Sequence, residues 1–94
     1  MDVVVEEMVL HPVWPNPALE NITISFTLPE STASQQVDFS LTDMVGKKHW
    51  SHQETFESGY HEVTWRRDEK AEVGIYLIQL QSGTVRKQVK VIVK

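Results

Sequence analysis

The chain is predicted to be all-β, an antiparallel Ig-like sandwich of about seven strands with Greek-key connections. Three observations point there. Residues 21–28 and 37–42 alternate apolar and polar side chains, the pattern of half-buried strands. No segment sustains a 3.6-residue period. Gly46, Gly59, Gly74 and Gly83 all fall between β-prone runs, where turns need them.

Residues 1–13 are expected to be a linker or a first edge strand, with Val3-Val4-Val5 and Val9-Leu10 flanking Glu6-Glu7-Met8. Trp14-Pro15-Asn16-Pro17 follows Pro12, and so many prolines exclude a helix or a central strand. Asn16 is expected to make a tight turn through its side-chain amide. Trp14 is expected to close one end of the core. In Asn21 to Leu28 the residues Ile22, Ile24, Phe26 and Leu28 share a face, and Pro29 ends the strand. Val37, Phe39 and Leu41 alternate with Asp38, Ser40 and Thr42. Asp43-Met44-Val45-Gly46 reads as a hairpin loop. Lys47 to Gln53 returns as a strand carrying Trp50, Thr55 to Ser58 connects, and Gly59 to Trp65 is the next strand. Arg66 to Glu72 holds six charges in seven residues and reads as a solvated loop.

The closing hairpin runs from Gly74 to Lys94. A Ser82-Gly83 loop would set Leu80 opposite Val85, Tyr76 opposite Val89 and Ile75 opposite Lys90. One face then carries Tyr76, Leu80, Val91 and Val93, and the other is wet and basic. Ile78 opposite Lys87 is the flaw in that register, which a bulge could shift.

The 94 residues allow one domain with a modest core. There is no cysteine, hence no disulfide or thiolate chemistry. No apolar run approaches the ~20 residues of a membrane helix. From Met1 to Gly46 there are seven acidic residues and no Lys or Arg, while from Ser82 onward there are four basic residues and no acidic one. The ends should attract, with Glu6 and Glu7 near the last strand, although two separately solvated faces account for the pattern as simply.

His49, His52 and His61 suggest a metal, but positions three apart on a strand face opposite ways, so rim histidines are the better account. Asp38 and Asp43 could be an acid pair, yet Asp43 is explained by its turn. No nucleophile elbow, phosphate loop or Cys–His pair occurs, so neither catalysis nor a cofactor is expected. Trp14, Trp50 and Trp65 could form a stacking platform, but core packing explains them better. A net charge of −4 with a single basic strand argues against nucleic acid.

Taken in order, five pieces resemble one known family over Val9 to Lys94. They are Trp14-Pro15-Asn16-Pro17, Ile22 to Glu30 ending in Leu-Pro-Glu, Leu41 to Lys47, Gly59 to Trp65, and Gly74-Ile75-Tyr76 with the closing Lys90-Val91-Ile92-Val93-Lys94. The chain resembles the type A C-terminal sorting domain of the type IX secretion system of Bacteroidetes. It departs from the family's pattern at His11-Pro12-Val13 and at Thr42, which replaces an aromatic.

The resemblance implies an Ig-like domain over residues 14–94 that is an address rather than an enzyme. An N-terminal cargo would reach the periplasm through an ordinary signal peptide. The type IX translocon and an outer-membrane shuttle protein would recognise the folded domain. A surface sortase would cut the cargo away and join it to lipopolysaccharide, leaving it at the cell surface. Since no cargo is present, Met1 is expected to be an artificial start. By the same resemblance Gly74, Tyr76, Lys87, Lys90, Val91, Ile92, Val93 and Lys94 would carry recognition. Trp14, Pro15, Asn16, Pro17, Asp43, Gly46, Gly59 and Trp65 would carry the structural motifs. A homodimer through edge strands is also expected to be open to such a domain. Two other readings are a sugar- or protein-binding module and a structural Ig-like spacer, which resembles the domain of the flagellar hook-capping scaffold.

Overall fold

A computed structural model describes residues 7–18, 20–31, 33–67 and 72–94. Val3 to Glu6 and most of the charged 66–72 loop lie outside the described residues. The described chain is all-β: β1 (Val9–Leu10), β2 (Asn21–Leu28), β3 (Gln35–Asp43), β4 (Lys48–Phe56), β5 (Gly59–Arg66), β6 (Gly74–Ser82) and β7 (Val85–Val93). One sheet has the order β1-β2-β5 and the other β4-β3-β6-β7, with every strand pair antiparallel.

The alternation in β2 and β3 becomes the interior. Ile22, Ile24, Phe26 and Leu28 from one sheet meet Val37, Phe39, Leu41, Ile78 and Leu80 from the other, and all are almost wholly buried. Phe26 makes edge contacts with Phe39 and Phe56, at centroid distances of 5.5 and 5.0 Å. Burying one such ring stabilises the fold by about 1.5–3 kcal/mol, and edge geometry adds about 0.5–1.5 kcal/mol per pair.

The Asp43 to Gly46 hairpin forms as its residues predict. Asp43 Oδ1 accepts the amides of Val45 (3.0 Å) and Lys47 (2.9 Å), while Gly46 takes a φ of 92°. A register shift between Leu41 and Thr42 accompanies this turn. The fourth strand runs on to Phe56, further than Gln53, because the Phe56 ring is drawn into the interior against Phe26 and Phe39. Only Glu57 and Ser58 remain as the connection to β5.

Trp14 does not close the core: it is 45% exposed, whereas Val13 is buried at 6%. The backbone explains the exchange. Trp14 N–H donates to Thr23 C=O at 3.2 Å and Thr23 N–H to Trp14 C=O at 2.7 Å. Residue 14 thus lies alongside β2 as a continuation of β1, and it is Val13 that packs inward.

The closing hairpin also differs from its predicted register. Ser82 pairs with Val85, so the loop is Gly83-Thr84. Gly83 has a φ of 60° and Thr84 is not in the positive-φ region, as a turn with glycine in its first central position requires. Every pairing moves by two residues: Tyr76 meets Val91, Ile78 meets Val89 and Leu80 meets Lys87. Ile78 thereby gains an apolar partner.

A candidate recognition surface at the last strand

The β6–β7 register decides which side chains are available to another molecule. Tyr76, Ile78, Leu80, Val91 and Val93 point inward and are buried. The cross-strand pairs of the outer face are Ile75 with Ile92, Leu77 with Lys90, Gln79 with Gln88, and Gln81 with Arg86. This face is therefore apolar near the chain end and polar near the turn. Ile75 and Ile92 stay 44% and 43% exposed, and Val73 beside them is 71% exposed.

The residues expected to carry recognition divide accordingly. Lys90, Ile92 and Lys94 are exposed, Gly74 and Lys87 are half-buried, and Tyr76, Val91 and Val93 are interior. Lys87 lies on the inward side opposite Leu80, and its ammonium meets the Glu7 carboxylate at 2.5 Å. Among the described residues the charge asymmetry between the two ends is realised in one exposed ion pair, worth about 0–1 kcal/mol. Ile75 and Val73 are not among the residues expected to carry recognition. Their signal was the alternation itself, because with Tyr76 inward Ile75 must face out.

The rim of β7 is occupied along its C-terminal half. Asn16 Oδ1 accepts the Ile92 amide at 3.0 Å, and Asn16 Nδ2 donates to Lys90 C=O at 3.4 Å. Ala18 N–H donates to Ile92 C=O and Lys94 N–H to Ala18 C=O, both at 2.8 Å. Arg67 Nη1 donates to Lys94 C=O at 2.5 Å. Asn16 therefore makes no local turn through its amide. It reaches across the chain and takes the place of a neighbouring strand, because an edge strand offers N–H and C=O groups that a carboxamide can match. Pro15 and Pro17 flank it and are exposed, each following a cis peptide bond.

At the opposite side of β6, Asp43 pairs with Tyr76 across the strands, and His49 Nε2 lies 2.8 Å from Asp43 Oδ2. The hydrogen bond to His49 holds the Asp43 carboxyl below its ordinary value. Partial burial opposes this, and the Lys47 and Val45 amides reinforce it. Tyr76 donates its hydroxyl to Glu72 C=O at 2.5 Å, and burial first, then the Glu72 and Asp43 carboxylates, push its phenol up. The Asp-x-x-Gly turn, His49 and the start of β6 thus form one small polar cluster.

The other candidates do not converge. His52 pairs with Glu54 and stacks on Trp50 with 7° between the ring planes, while His61 Nε2–H donates to Glu57 C=O. No three metal-ligating side chains gather among the described residues. Asp38 accepts from Gln53 on the outer face, and five residues of strand, about 17 Å, separate it from Asp43. Trp65 is buried, Trp50 packs against the core and Trp14 is exposed, so the three tryptophans share no platform. A depression of about 440 Å³ over the outer face is lined chiefly by hydroxyl and amide side chains such as Ser40, Ser51, Gln79 and Gln81. No helix is long and apolar enough to cross a membrane among the described residues.

Compared with known proteins, the chain matches one family model over residues 12–94, described as a secretion system C-terminal sorting domain. No curated protein and no solved structure matches it.

Proposed function

The chain belongs to the family of secretion system C-terminal sorting domains, the signals of type IX export, and from that premise we propose how it serves as one. A cargo fused on its N-terminal side reaches the periplasm. The type IX translocon, with an outer-membrane shuttle protein, then takes hold of the folded domain at its last hairpin. A surface sortase cuts the cargo away and joins it to lipopolysaccharide. No residue of the chain is needed as an acid, base or nucleophile in that sequence, so the domain is a ligand of the machinery rather than a catalyst.

The observation that supports this reading best is the last strand. Lys90, Ile92 and Lys94 project from an ordered hairpin whose valines anchor it in the core. Lys90 and Lys94 offer cations and Ile92 an apolar contact, beside Ile75 and Val73, a combination suited to protein recognition. Tyr76, Val91 and Val93 would act from below by holding that strand in place.

A reporter fused ahead of the chain tests the reading in a host with the export system. Deleting Val89 to Lys94 should trap the reporter in the periplasm. The paired changes Lys90→Glu and Ile92→Ser, which leave the interior intact, should do the same while the domain remains folded. Normal surface display of both variants would defeat it.

One observation favours a second reading, since a sugar- or protein-binding module needs an exposed tryptophan and Trp14 is exposed. A shift of tryptophan fluorescence on titration with glycans, lost in Trp14→Ala, would support that reading over the first.

A further inference from the structure

We propose that the outer rim of β7 is a docking site for an extended partner segment of alternating apolar and acidic residues, and that residues 16–18 hold half of that site shut. The proposal rests on the reading above that other proteins recognise the domain at its last strand. Along an edge strand, alternate residues turn both N–H and C=O outward. Ile92 and Lys94 belong to that outward set, because they bond to Asn16 and Ala18. Alternation puts Gln88 and Arg86 in the same set. Among the described residues, nothing hydrogen-bonds to their outward backbone. Among the described residues the rim is therefore open near the turn and closed near Ile92 and Lys94.

The chemistry of the occupant follows from what borders the rim. β7 and Lys94 supply the cations Arg86, Lys87, Lys90 and Lys94 and hold no Asp or Glu. A second copy pairing antiparallel there would set cation against cation, which is unfavourable. A partner bearing carboxylates meets the opposite situation, and Lys87 already takes one from Glu7. Beside the open half lies a groove lined by Leu10, His11, Pro12, Lys87, Gln88 and Val89, with apolar surface at its floor. An added strand would turn alternate side chains into that groove and the others toward Arg86 and Lys90. Apolar residues suit the first set and acidic residues the second.

A strand lying along the whole rim needs the outward groups of Ile92 and Lys94, which are taken. Docking that starts at Arg86 and Gln88 must therefore displace Asn16 and Ala18 to reach completion. Recognition at the last strand and uncovering of residues 16–18 are thus two sides of one exchange.

The test uses the full chain and two end-capped decapeptides, one alternating valine with glutamate and one alternating valine with lysine. The acidic peptide should bind and the basic one should not. In the bound state the amides of Ile92 and Lys94 stay protected from hydrogen exchange, Arg86 and Gln88 gain protection, and Ala18 loses it. Asn16→Ala should tighten binding about tenfold, the factor set by loss of its competing hydrogen bonds to Ile92 and Lys90. Asn16→Asp, which keeps the acceptor for Ile92 but not the donor to Lys90, should fall between. Absence of binding, equal binding of both peptides, a protected Ala18 amide in the saturated complex, or unchanged affinity in Asn16→Ala would each overturn the proposal. Dimerisation of Asn16→Ala in place of peptide binding would overturn it too, by assigning the rim to a second copy. None of these readouts involves export, so normal surface display of the two variant reporters refutes the sorting reading separately.

Discussion

Asn16 holds the backbone amide of Ile92 at 3.0 Å across 76 residues of chain, doing with a side chain what a neighbouring strand does with its backbone. The pair joins the Pro-Asn-Pro segment to the last strand, two parts of the sequence with no local reason to meet.

Removing that carboxamide should cost modest stability. Asn16→Ala deletes the bond to Ile92 and the longer one to Lys90 at an exposed site. The expected loss is about 0.5–1.5 kcal/mol. In a domain of this size that lowers the melting temperature by about 4–8 °C per kcal/mol. Thermal unfolding followed by circular dichroism should show it, with Asn16→Asp affected less.

The Asp43 and His49 contact makes acid stability depend on one carboxylate. Asp43 has a folded-state pKa below its ordinary 3.8. Below that value the unfolded chain binds the proton more readily than the folded one, so stability falls as pH falls. The contribution is complete above the ordinary value and is lost as pH drops through the lowered one. Denaturant unfolding of the wild type and Asp43→Asn between about pH 6 and pH 2 should show the wild-type advantage shrinking only at the acid end. A constant difference across that range would contradict the assignment.

The aromatic centre should dominate the energetics. Phe26 is fully buried and touches Phe39, Phe56 and His61, whereas Phe56 is 8% exposed at the rim. Phe26→Ala should cost about 3–5 kcal/mol, a large share of the 5–15 kcal/mol typical of a domain. Phe56→Ala should cost less, because a rim site collapses more easily. Chemical denaturation of the two variants gives the order directly.

The loop of the closing hairpin can be tested by single substitutions. Gly83 has a φ of 60° with open space where a Cβ would sit, so any penalty there comes from the backbone alone. Gly83→Ala should destabilise by about 1–2 kcal/mol, the cost of a positive φ for an L-residue. Thr84→Ala should be nearly neutral, as it has no such requirement.

Much of this architecture could be read from the chain because one sheet face is dry and the other wet. Ile22 to Leu28 and Val37 to Leu41 announce their inward sides by alternation, and Asp43 and Gly46 announce their turn. The last hairpin shows where that information ends. Moving its register by two residues leaves every side chain on the same face, so the apolar pattern cannot separate Ser82-Gly83 from Gly83-Thr84 as the loop. Gly83 supplies the positive φ in either case. Trp14 misled through its size, since a large aromatic next to a buried position looks like the core residue when Val13 is the one that faces in. The role of Asn16 had no local signal, because its partners lie at the far end of the chain. For the same reason the expected recognition residues mixed Tyr76, Val91 and Val93, which the register buries, with Lys90, Ile92 and Lys94, which it exposes.

Ala18 runs parallel to Val93 where the chain ends. Tension drawn backward through residue 16 and forward through Lys94 would slide these neighbours past each other along their length. The bonds of Asn16 and Ala18 to Ile92 and Lys94 would then bear the load together instead of parting one at a time. The short Pro-Asn-Pro-Ala seam is thus a mechanical clasp, firm against a lengthwise pull and weak against a sideways one.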